Sequence, residues 1–214
     1  MIYINQGKFI VFEGIDHCGK TVMIDALKRY VRQNLPDKKI IFTREPGGFD
    51  DKFVDQIREI LLNPENDICP EAEAYLYAAN RAQHTRQMKK YLEQGYTVIC
   101  DRYYHSSLAY QGVGRGLGIE NVLELNKLAI QGAVPSHIFY IQINLQTYLI
   151  RKSLIKSLDR LEKEKVDFFE KVLGYYETMS NKTNVYKINN DDRTLDATAE
   201  EVIAKFIEIT KEDN

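Results

Sequence analysis

One short segment of the chain, residues 14–21, has residue types and a spacing that suit phosphate chemistry. It fits the pattern G-x-x-x-x-G-K-[ST], and its members are Gly14, Ile15, Asp16, His17, Cys18, Gly19, Lys20 and Thr21. In such a loop the glycines let backbone N–H groups turn toward a di- or triphosphate, the lysine reaches the β- and γ-phosphates, and the threonine holds Mg²⁺. An apolar run precedes the loop and an amphipathic stretch follows it, which is the context that the pattern requires. The segment therefore predicts a site for a nucleoside triphosphate such as ATP.

Asp101 and Arg102 give a second, independent indication of phosphate binding. They follow the apolar residues 98–100. An acidic residue at the end of a buried strand can hold Mg²⁺ through its water shell opposite Thr21, and the arginine offers a planar fork to phosphate oxygens. A structural Asp–Arg pair is the alternative, but the loop at 14–21 favours the phosphate interpretation. We therefore expect Thr21 and Asp101 at the metal, and Lys20, Asp101 and Arg102 among the catalytic residues.

The elements that must position these residues alternate along the chain. Short β-rich runs predict strands at 8–12, 39–43, 97–100, 137–143 and 185–188, and longer periodic stretches predict helices at about 20–34, 50–62, 70–94, 119–131, 147–157, 163–180 and 196–211. This alternation implies an α/β fold with a five-stranded parallel sheet, and strands that are apolar on both faces require helices on both sides. Ligands of such sheets bind beyond the carboxyl ends of the strands, where 14–21, 43–48 and 101–103 begin.

Length and composition limit the possible classes of protein. The 214 residues are enough for one domain with a substantial core, and we expect a single domain over 1–214. The formal net charge of −2 carries no electrostatic signature of nucleic-acid binding. Cys18, Cys69 and Cys100 lack metal-ligand spacing and the N-terminus does not resemble a signal peptide, so a cytoplasmic protein is predicted. No apolar run approaches the length of a membrane span.

Several segments, taken in order, resemble the successive motifs of the thymidylate kinases, especially those of the bacterial branch. These segments lie at 12–14, 43–48, 78–81, 101–103, 106–112 and 158–162. The resemblance covers nearly the whole chain and implies a P-loop NTPase fold with a small mobile lid. It also implies transfer of the γ-phosphoryl group of ATP to dTMP, giving dTDP in dTTP biosynthesis, and a homodimer.

The resemblance also implies roles for individual residues on the acceptor side. Arg58 and Arg102 would bind the phosphate of dTMP, Tyr110 would stand where a ribose 2′-OH would be, and Asp16 would accept from the sugar 3′-OH. Tyr77 is the expected stacking ring for the base. The remaining expected contacts are Arg81, Ser107 and Gln111 at the pyrimidine edge, and Glu45 and Pro46 along the acceptor site. Without the resemblance, Arg58 would be read as a solvent-exposed residue on one face of its helix.

The sequence departs from the family pattern in the predicted lid, residues 151–162, and at His17. One branch of the family has an arginine at the position of His17, and we interpret the imidazole as a spacer rather than a partial cation. The lid carries Arg151, Lys156 and Arg160, whereas Ile155 occupies a place where close bacterial relatives often have arginine. We hypothesise that Arg160, helped by Lys156 or Arg151, stabilises the transition state.

Two other functions remain open from the sequence. The first keeps the fold but changes the acceptor to another deoxynucleoside monophosphate or to a nucleoside. The second is a nucleotide-binding protein with little or no transferase activity. A guanine-nucleotide switch should carry an N-K-x-D segment, but the nearest match, residues 181–184, ends in Asn184.

Overall fold

A five-stranded parallel sheet forms the centre of the molecule. In the computed structural model, which describes residues 7–211, the strands are β1 (Phe9–Glu13), β2 (Ile40–Arg44), β3 (Thr97–Asp101), β4 (His137–Gln142) and β5 (Val185–Asn189). They are arranged in the order β2-β3-β1-β4-β5, and each neighbouring pair is parallel. The predicted five-stranded α/β fold is confirmed, and each strand begins and ends within one residue of its predicted bounds.

Helices connect the strands and cover both faces of the sheet. The described helices are α1 (Lys20–Asn34), α2 (Lys52–Leu62), α3 (Pro70–Glu93), α4 (Tyr104–Ser107), α5 (Ile119–Ile130), α6 (Leu145–Ser153), α7 (Val166–Met179) and α8 (Leu195–Lys211). The central strand β1 is buried along its whole length. Its residues Ile10 and Phe12 join the larger apolar cluster, whereas Phe9 and Val11 join the smaller one on the opposite face. None of the described helices is long and apolar enough to cross a membrane.

Three predicted helices have different bounds in the structure. The helix predicted at 50–62 begins at Lys52, because the Asp51 side chain accepts a hydrogen bond from the Phe53 N–H and caps the helix. The helix predicted at 147–157 begins two residues earlier and already ends at Ser153. The helix predicted at 163–180 begins only at Val166. Residues between α6 and α7 therefore form turns and bends rather than helix.

One helical region of the structure was not predicted from the sequence. The short helix α4 continues directly into a π-helical turn at Leu108–Gly114. Two glycines and an almost fully buried run give this segment no helical alternation of apolar and polar residues. The wide turn packs between α5 and α7. It carries Tyr110 and Gln111, two of the predicted site residues.

The three polar segments predicted to meet do so at the carboxyl edge of the sheet. The Glu45 N–H donates to the Asp101 carbonyl over 2.9 Å, and the Arg102 N–H donates to the Phe12 carbonyl over 2.9 Å. These bonds join the ends of β1, β2 and β3 directly. The phosphate-binding pattern at 14–21 lies between the end of β1 and the start of α1.

Candidate active site

The loop at 14–21 has the backbone conformation of an anion cradle. Gly14, His17 and Gly19 have positive φ angles of 144°, 59° and 97°. Such a backbone lets successive N–H groups point to one side, and Gly19 lies at the N-terminus of α1, where the helix dipole favours an anion. The Lys20 Nζ folds back over the loop and donates to the Gly14 and Ile15 carbonyls, each over 2.9 Å. The loop is thus shaped for phosphate, and its lysine lies within it.

Asn190, which follows β5, supports the loop from behind. Its Nδ2 donates to the Cys18 carbonyl over 2.8 Å, and its Oδ1 accepts from the Thr198 hydroxyl over 2.9 Å. A Cβ at Gly19 would lie 2.7 Å from Asn190 Nδ2, so this close approach requires a glycine. The loop is therefore held by the neighbouring strand end as well as by its own hydrogen bonds.

Asp101 and Thr21 fit a magnesium site. Both line the same cavity, and Asp101 Oδ1 is buried without a hydrogen-bond partner among residues 7–211. Mg²⁺ at phosphate-transfer sites is usually held by one or two protein oxygens together with water and phosphate oxygens.

Asp16, Arg102 and Tyr110 form a charged cluster beside the loop. Arg102 Nη2 donates to Asp16 Oδ1 over 2.5 Å, and the Tyr110 hydroxyl donates to Asp16 Oδ2 over 2.7 Å. Burial favours the neutral form of Asp16, but Arg102, Lys20 and the Tyr110 hydrogen bond outweigh it and lower the pKa of Asp16 to about 2. The carboxylate is therefore charged at neutral pH and fixed in place.

Arg58 lies in the cavity rather than on a solvated helix face. Its Nη1 donates to the Pro46 carbonyl over 2.7 Å. Burial, and then the neighbouring charge of Arg44, lowers the pKa of the Arg58 guanidinium. Two cations that repel each other at the cavity wall favour binding of a phosphate dianion, since it relieves that repulsion. Arg44 was not among the predicted site residues.

The other acceptor-side residues form a deeply buried pocket. Arg81 Nε donates to Glu45 Oε2 over 2.7 Å, and Glu45 Oε1 lies 2.8 Å from His84 Nδ1. Arg81 Nη1 also donates to the Ser107 hydroxyl over 3.1 Å. Tyr77 lies one helical turn before Arg81 on α3, and burial raises the pKa of its hydroxyl. Apolar surface and fixed donors thus lie side by side.

One cavity of about 970 Å³ brings most of the predicted residues together. From the loop it is lined by Asp16, His17, Gly19, Lys20 and Thr21, and from the acceptor side by Glu45, Pro46, Arg58, Tyr77, Arg81, Asp101, Arg102, Ser107, Tyr110 and Gln111. Arg151 lines it from α6. Gly14, Ile15, Cys18, Lys156 and Arg160 are not part of its wall.

Comparison with known proteins identifies the family. A family model described as thymidylate kinase matches residues 12–202. The thymidylate kinase of Finegoldia magna is 42% identical over 96% of this chain and 98% of the relative, and that of Mycoplasma mobile is 38% identical over 95% and 99%. The thymidylate kinase of Clostridium novyi is 37% identical over 93% of this chain and 98% of the relative. The chain belongs to the thymidylate kinase family. The resemblance inferred from the motifs is therefore confirmed.

The three cations of the predicted lid segment in this thymidylate kinase family member lie in three different environments. Arg151 Nη1 donates to the His17 carbonyl over 3.1 Å, and its Nη2 donates to the Asn190 carbonyl over 2.7 Å. Arg160 is buried and donates from Nη1 to Glu73 Oε2 over 2.6 Å and from Nε to the Leu61 carbonyl over 2.8 Å. Lys156 is exposed. In this conformation only Arg151 of the three lies next to the phosphate loop.

His17 connects the loop to the lid. Its Nε2 lies 3.0 Å from Glu162 Oε1, and this imidazole is the main cause that lowers the pKa of Glu162. Glu162 Oε2 in turn accepts from the Asp159 N–H over 2.9 Å, while Asp159 Oδ1 accepts from the Glu162 N–H over 2.8 Å. The lid end is thus a reciprocally capped turn that touches the phosphate loop through one imidazole.

Sequence reasoning missed several side chains that shape this site. They are Arg44 at the acceptor side, His84 beside Glu45, Asn190 behind the loop and Glu73 beneath Gln111. Arg44 falls inside a quoted motif and follows a predicted strand, so its position at a strand end was an available signal. The other three act through contacts with residues far away in the sequence, and local patterns do not reveal such contacts.

Proposed function

We propose that this chain transfers the γ-phosphoryl group of ATP to the phosphate of dTMP, giving ADP and dTDP for dTTP synthesis. The family and the names of the relatives support ATP and dTMP as the two substrates. The observation that carries the proposal is the single cavity in which the phosphate loop meets an arginine-rich wall and a pocket of buried polar side chains. One end of this cavity suits a triphosphate, and the other suits a nucleoside monophosphate.

The loop and α1 bind the donor in this proposal. Backbone N–H groups of 14–21 hold the phosphates of ATP, and the Lys20 ammonium leaves the loop carbonyls to meet the β- and γ-phosphates. Thr21 and Asp101 would hold Mg²⁺, whose charge neutralises phosphate oxygens during transfer. Arg151 fixes the loop by its bonds to the carbonyls of His17 and Asn190.

Arginines hold the acceptor phosphate in line with the donor. Phosphoryl transfer needs positioning and charge stabilisation more than covalent chemistry. Arg58 and Arg44 face the acceptor phosphate from one wall, and Arg102 lies between that wall and the loop, where it donates to the Gly14 carbonyl over 2.8 Å. Arg102 is therefore the residue best placed to contact both the acceptor phosphate and the transferred group.

The sugar and base of dTMP occupy the buried pocket. Asp16 accepts from the 3′-OH, and the Tyr110 ring, held by its bond to Asp16, fills the space that a ribose 2′-OH needs. Tyr77 stacks on the pyrimidine, and Arg81, Ser107 and Gln111 contact its polar edge. Glu45 fixes the Arg81 guanidinium, so the donor that reads the base does not need to be ordered on binding.

The lid is proposed at residues 151–162, and its closure completes the donor site. Arg160 keeps its proposed role at the transition state, with Lys156 or Arg151 as its helper. To reach the phosphates, Arg160 must exchange Glu73 and the Leu61 carbonyl for the nucleotide. We propose in addition a single cytoplasmic kinase domain that forms a homodimer and does not bind nucleic acid. Light scattering on the purified chain tests the dimer.

An acceptor panel tests the proposal directly. ADP release from ATP and Mg²⁺ is measured with dTMP, dUMP, dCMP, dGMP, dAMP, UMP and thymidine. We expect strong turnover with dTMP, weaker turnover with dUMP and negligible turnover with UMP. A different preferred acceptor would retain the kinase but refute the roles of Tyr110, Arg81 and Gln111. ATP binding without turnover on any acceptor would refute the enzyme.

A further inference from the structure

Glu73, in the first turn of α3, accepts hydrogen bonds from three side chains in the interior. Its carboxylate is fully buried. Oε1 accepts from Gln111 Nε2 over 2.7 Å, and Oε2 accepts from Arg160 Nη1 over 2.6 Å. Arg115 adds a bond from Nη2 to Oε2 over 3.1 Å and longer contacts from Nε to both oxygens. Glu73 is not part of the cavity wall, so its effect on a ligand must pass through a neighbour.

That neighbour is Gln111, whose amide can be oriented in only one way against this carboxylate. A carboxylate that two guanidinium groups hold in place has only acceptors to offer, so Gln111 must present its NH₂ group to it. A flipped amide would place its carbonyl oxygen against Glu73 Oε1 and leave two buried acceptors facing each other. Gln111 lines the cavity, and its Oε1 accepts no hydrogen bond from residues 7–211. The carbonyl oxygen is therefore the atom left for a ligand.

Arg81 lines the same pocket and supplies a hydrogen-bond donor, whereas the free Gln111 carbonyl oxygen is an acceptor. Its Nε bonds Glu45, and its Nη1 bonds both Ser107 and Asn126. Its Nη2 donates to no residue in the described range, and a guanidinium group has no acceptor. The pocket thus offers a fixed donor from Arg81 and a fixed acceptor from Gln111. A pyrimidine with a carbonyl at position 4 and a proton on N3 matches this pair, whereas cytosine has the reverse pattern at both atoms.

We propose that Glu73 is a positioning residue that fixes the amide of Gln111 and so makes the site select 4-oxo pyrimidines over 4-amino pyrimidines. The inference rests on the proposed function, because it assumes that the pocket binds the base of the acceptor. In this proposal Glu73 does not touch the substrate, and its one task is to orient the side-chain amide of Gln111. The matched control is Arg115, which contacts the same carboxylate but leaves its acceptor character unchanged when replaced.

The wild-type protein gives the first test. Dissociation constants are measured for dTMP and for 5-methyl-dCMP, two nucleotides of nearly the same shape that differ in polarity at N3 and position 4. We expect dTMP to bind at least about 100-fold more tightly, since a polar site strongly rejects a mismatched isostere. Equal binding of the two would overturn the proposal while leaving phosphorylation of dTMP intact. Failure to bind either nucleotide would refute the proposed function instead.

The variant Glu73→Gln gives the second test. The new amide can donate to the Gln111 carbonyl, so Gln111 is free to flip. The ratio of the two dissociation constants should then fall by at least about tenfold, whereas Arg115→Gln should leave it within about threefold of wild type. A general loosening of the structure would weaken the binding of both nucleotides alike and leave the ratio of their dissociation constants unchanged. A preserved ratio in Glu73→Gln would overturn the proposal. If Glu73→Gln does not fold, the double variant Glu73→Gln/Arg115→Gln, which has lost one negative and one positive charge, is compared with Arg115→Gln alone. A ratio of dissociation constants at least about tenfold lower in the double variant would support the proposal, and an unchanged ratio would overturn it.

Discussion

The proposed acceptor pocket and the proposed lid, residues 151–162, both line one cavity but are built in different ways. In the acceptor pocket, the side chains of Glu45 and Arg81 are each only 2% exposed and are paired with each other. In the lid, residues 153–157 are all exposed, and Leu154 is 75% exposed. The lid is held at its two ends, by Arg151 on one side and by Arg160 and Glu162 on the other.

The two constructions suit two different tasks, namely binding of the acceptor in the pocket and closure of the lid over the site. A pocket whose polar groups are already paired and oriented binds its ligand without further ordering, whereas a segment with few buried contacts can open at little cost in free energy. Lids of this kind exclude water and complete the catalytic site on closure. We therefore expect substitutions in the acceptor pocket to change binding or chemistry strongly, and substitutions of the exposed lid residues other than Lys156 to have small effects.

The largest effect should come from Arg102, which lies between the two regions. Arg102→Ala removes the donor to the Gly14 carbonyl and the partner of Asp16. Loss of an arginine that stabilises a transferring phosphoryl group typically costs about 10³-fold or more, so we expect kcat to fall by at least about 10³-fold. Steady-state kinetics with dTMP and ATP measure it. Arg102→Lys, which keeps the charge but not the fork, should recover only part of the loss, and a kcat within about threefold of wild type in Arg102→Ala would contradict the role.

Arg160 tests whether the lid end is structural, catalytic or both. Removal of one partner from a buried ion pair typically costs about 3–5 kcal/mol, so Arg160→Ala should lower the free energy of unfolding by about 3 kcal/mol because Glu73 loses its closest cation. If Arg160 also stabilises the transition state, kcat at a temperature where the variant is folded should fall by much more than about threefold. Urea unfolding and steady-state kinetics separate the two.

The exposed Lys156 is the control for Arg160. Lys156→Ala should leave the unfolding free energy within about 0.5 kcal/mol of wild type. An Arg160→Ala variant with lower stability but a turnover number within about threefold of wild type would show that the catalytic assignment made from the sequence was wrong.

The fold could be predicted because it depends on local patterns, whereas the acceptor-side residues were predicted from the family resemblance. Strand positions follow from short apolar runs, and the phosphate loop follows from one uninterrupted segment, residues 14–21. The π-helical turn could not be predicted, because its conformation depends on packing between α5 and α7 rather than on a periodicity of its own. The family resemblance nevertheless predicted Tyr110 and Gln111 as site residues, since it does not require knowledge of the backbone, and both line the cavity.

The environments of Glu73 and Arg160 show why the remaining contacts around the site could not be predicted from the sequence. An acidic residue in the first turn of a helix is favourable for the helix dipole alone, so nothing in the sequence marked Glu73 as buried. Arg160 lies in a segment rich in charged residues, and such a segment is typical of a solvated surface. In the structure Arg160 is nevertheless buried, and it donates hydrogen bonds to Glu73 and to the Leu61 carbonyl. Glu73 and Arg160 are 87 positions apart, and single-sequence reasoning cannot join residues at that separation.

Asp16 should make the free energy of unfolding depend on pH, with an effect intermediate between those expected for Arg160 and for His17. Its pKa, lowered from 3.8 to about 2, means that the charged form stabilises the folded state above about pH 4 and that this stabilisation is lost as the pH falls through 2. The difference in unfolding free energy between wild type and Asp16→Asn should therefore shrink by about 1.5 kcal/mol between about pH 6 and pH 2.5. Denaturant titrations at several pH values measure it.

The Arg102→Ala background provides the control for Asp16. Arg102 is the main cation that lowers the pKa of Asp16. Without Arg102, the change in unfolding free energy that Asp16→Asn causes should therefore depend much less on pH. A pH dependence that is the same in both backgrounds would show that another group is responsible.

The smallest effect should come from His17 and Glu162, the contact between loop and lid. Each side chain is only about 15% exposed, and their nearest atoms are 3.0 Å apart. His17→Ala and Glu162→Gln should each raise KM for ATP by about two- to fivefold, and the double variant should be no worse than either single one, because both remove the same contact. A coupling of about 0.5–1 kcal/mol is expected for a partly exposed contact between two polar side chains. Strictly additive effects would mean that His17 is only a spacer, as the sequence suggested, and that residues 151–162 are held in the present conformation by Arg151 and Arg160 without this side-chain contact.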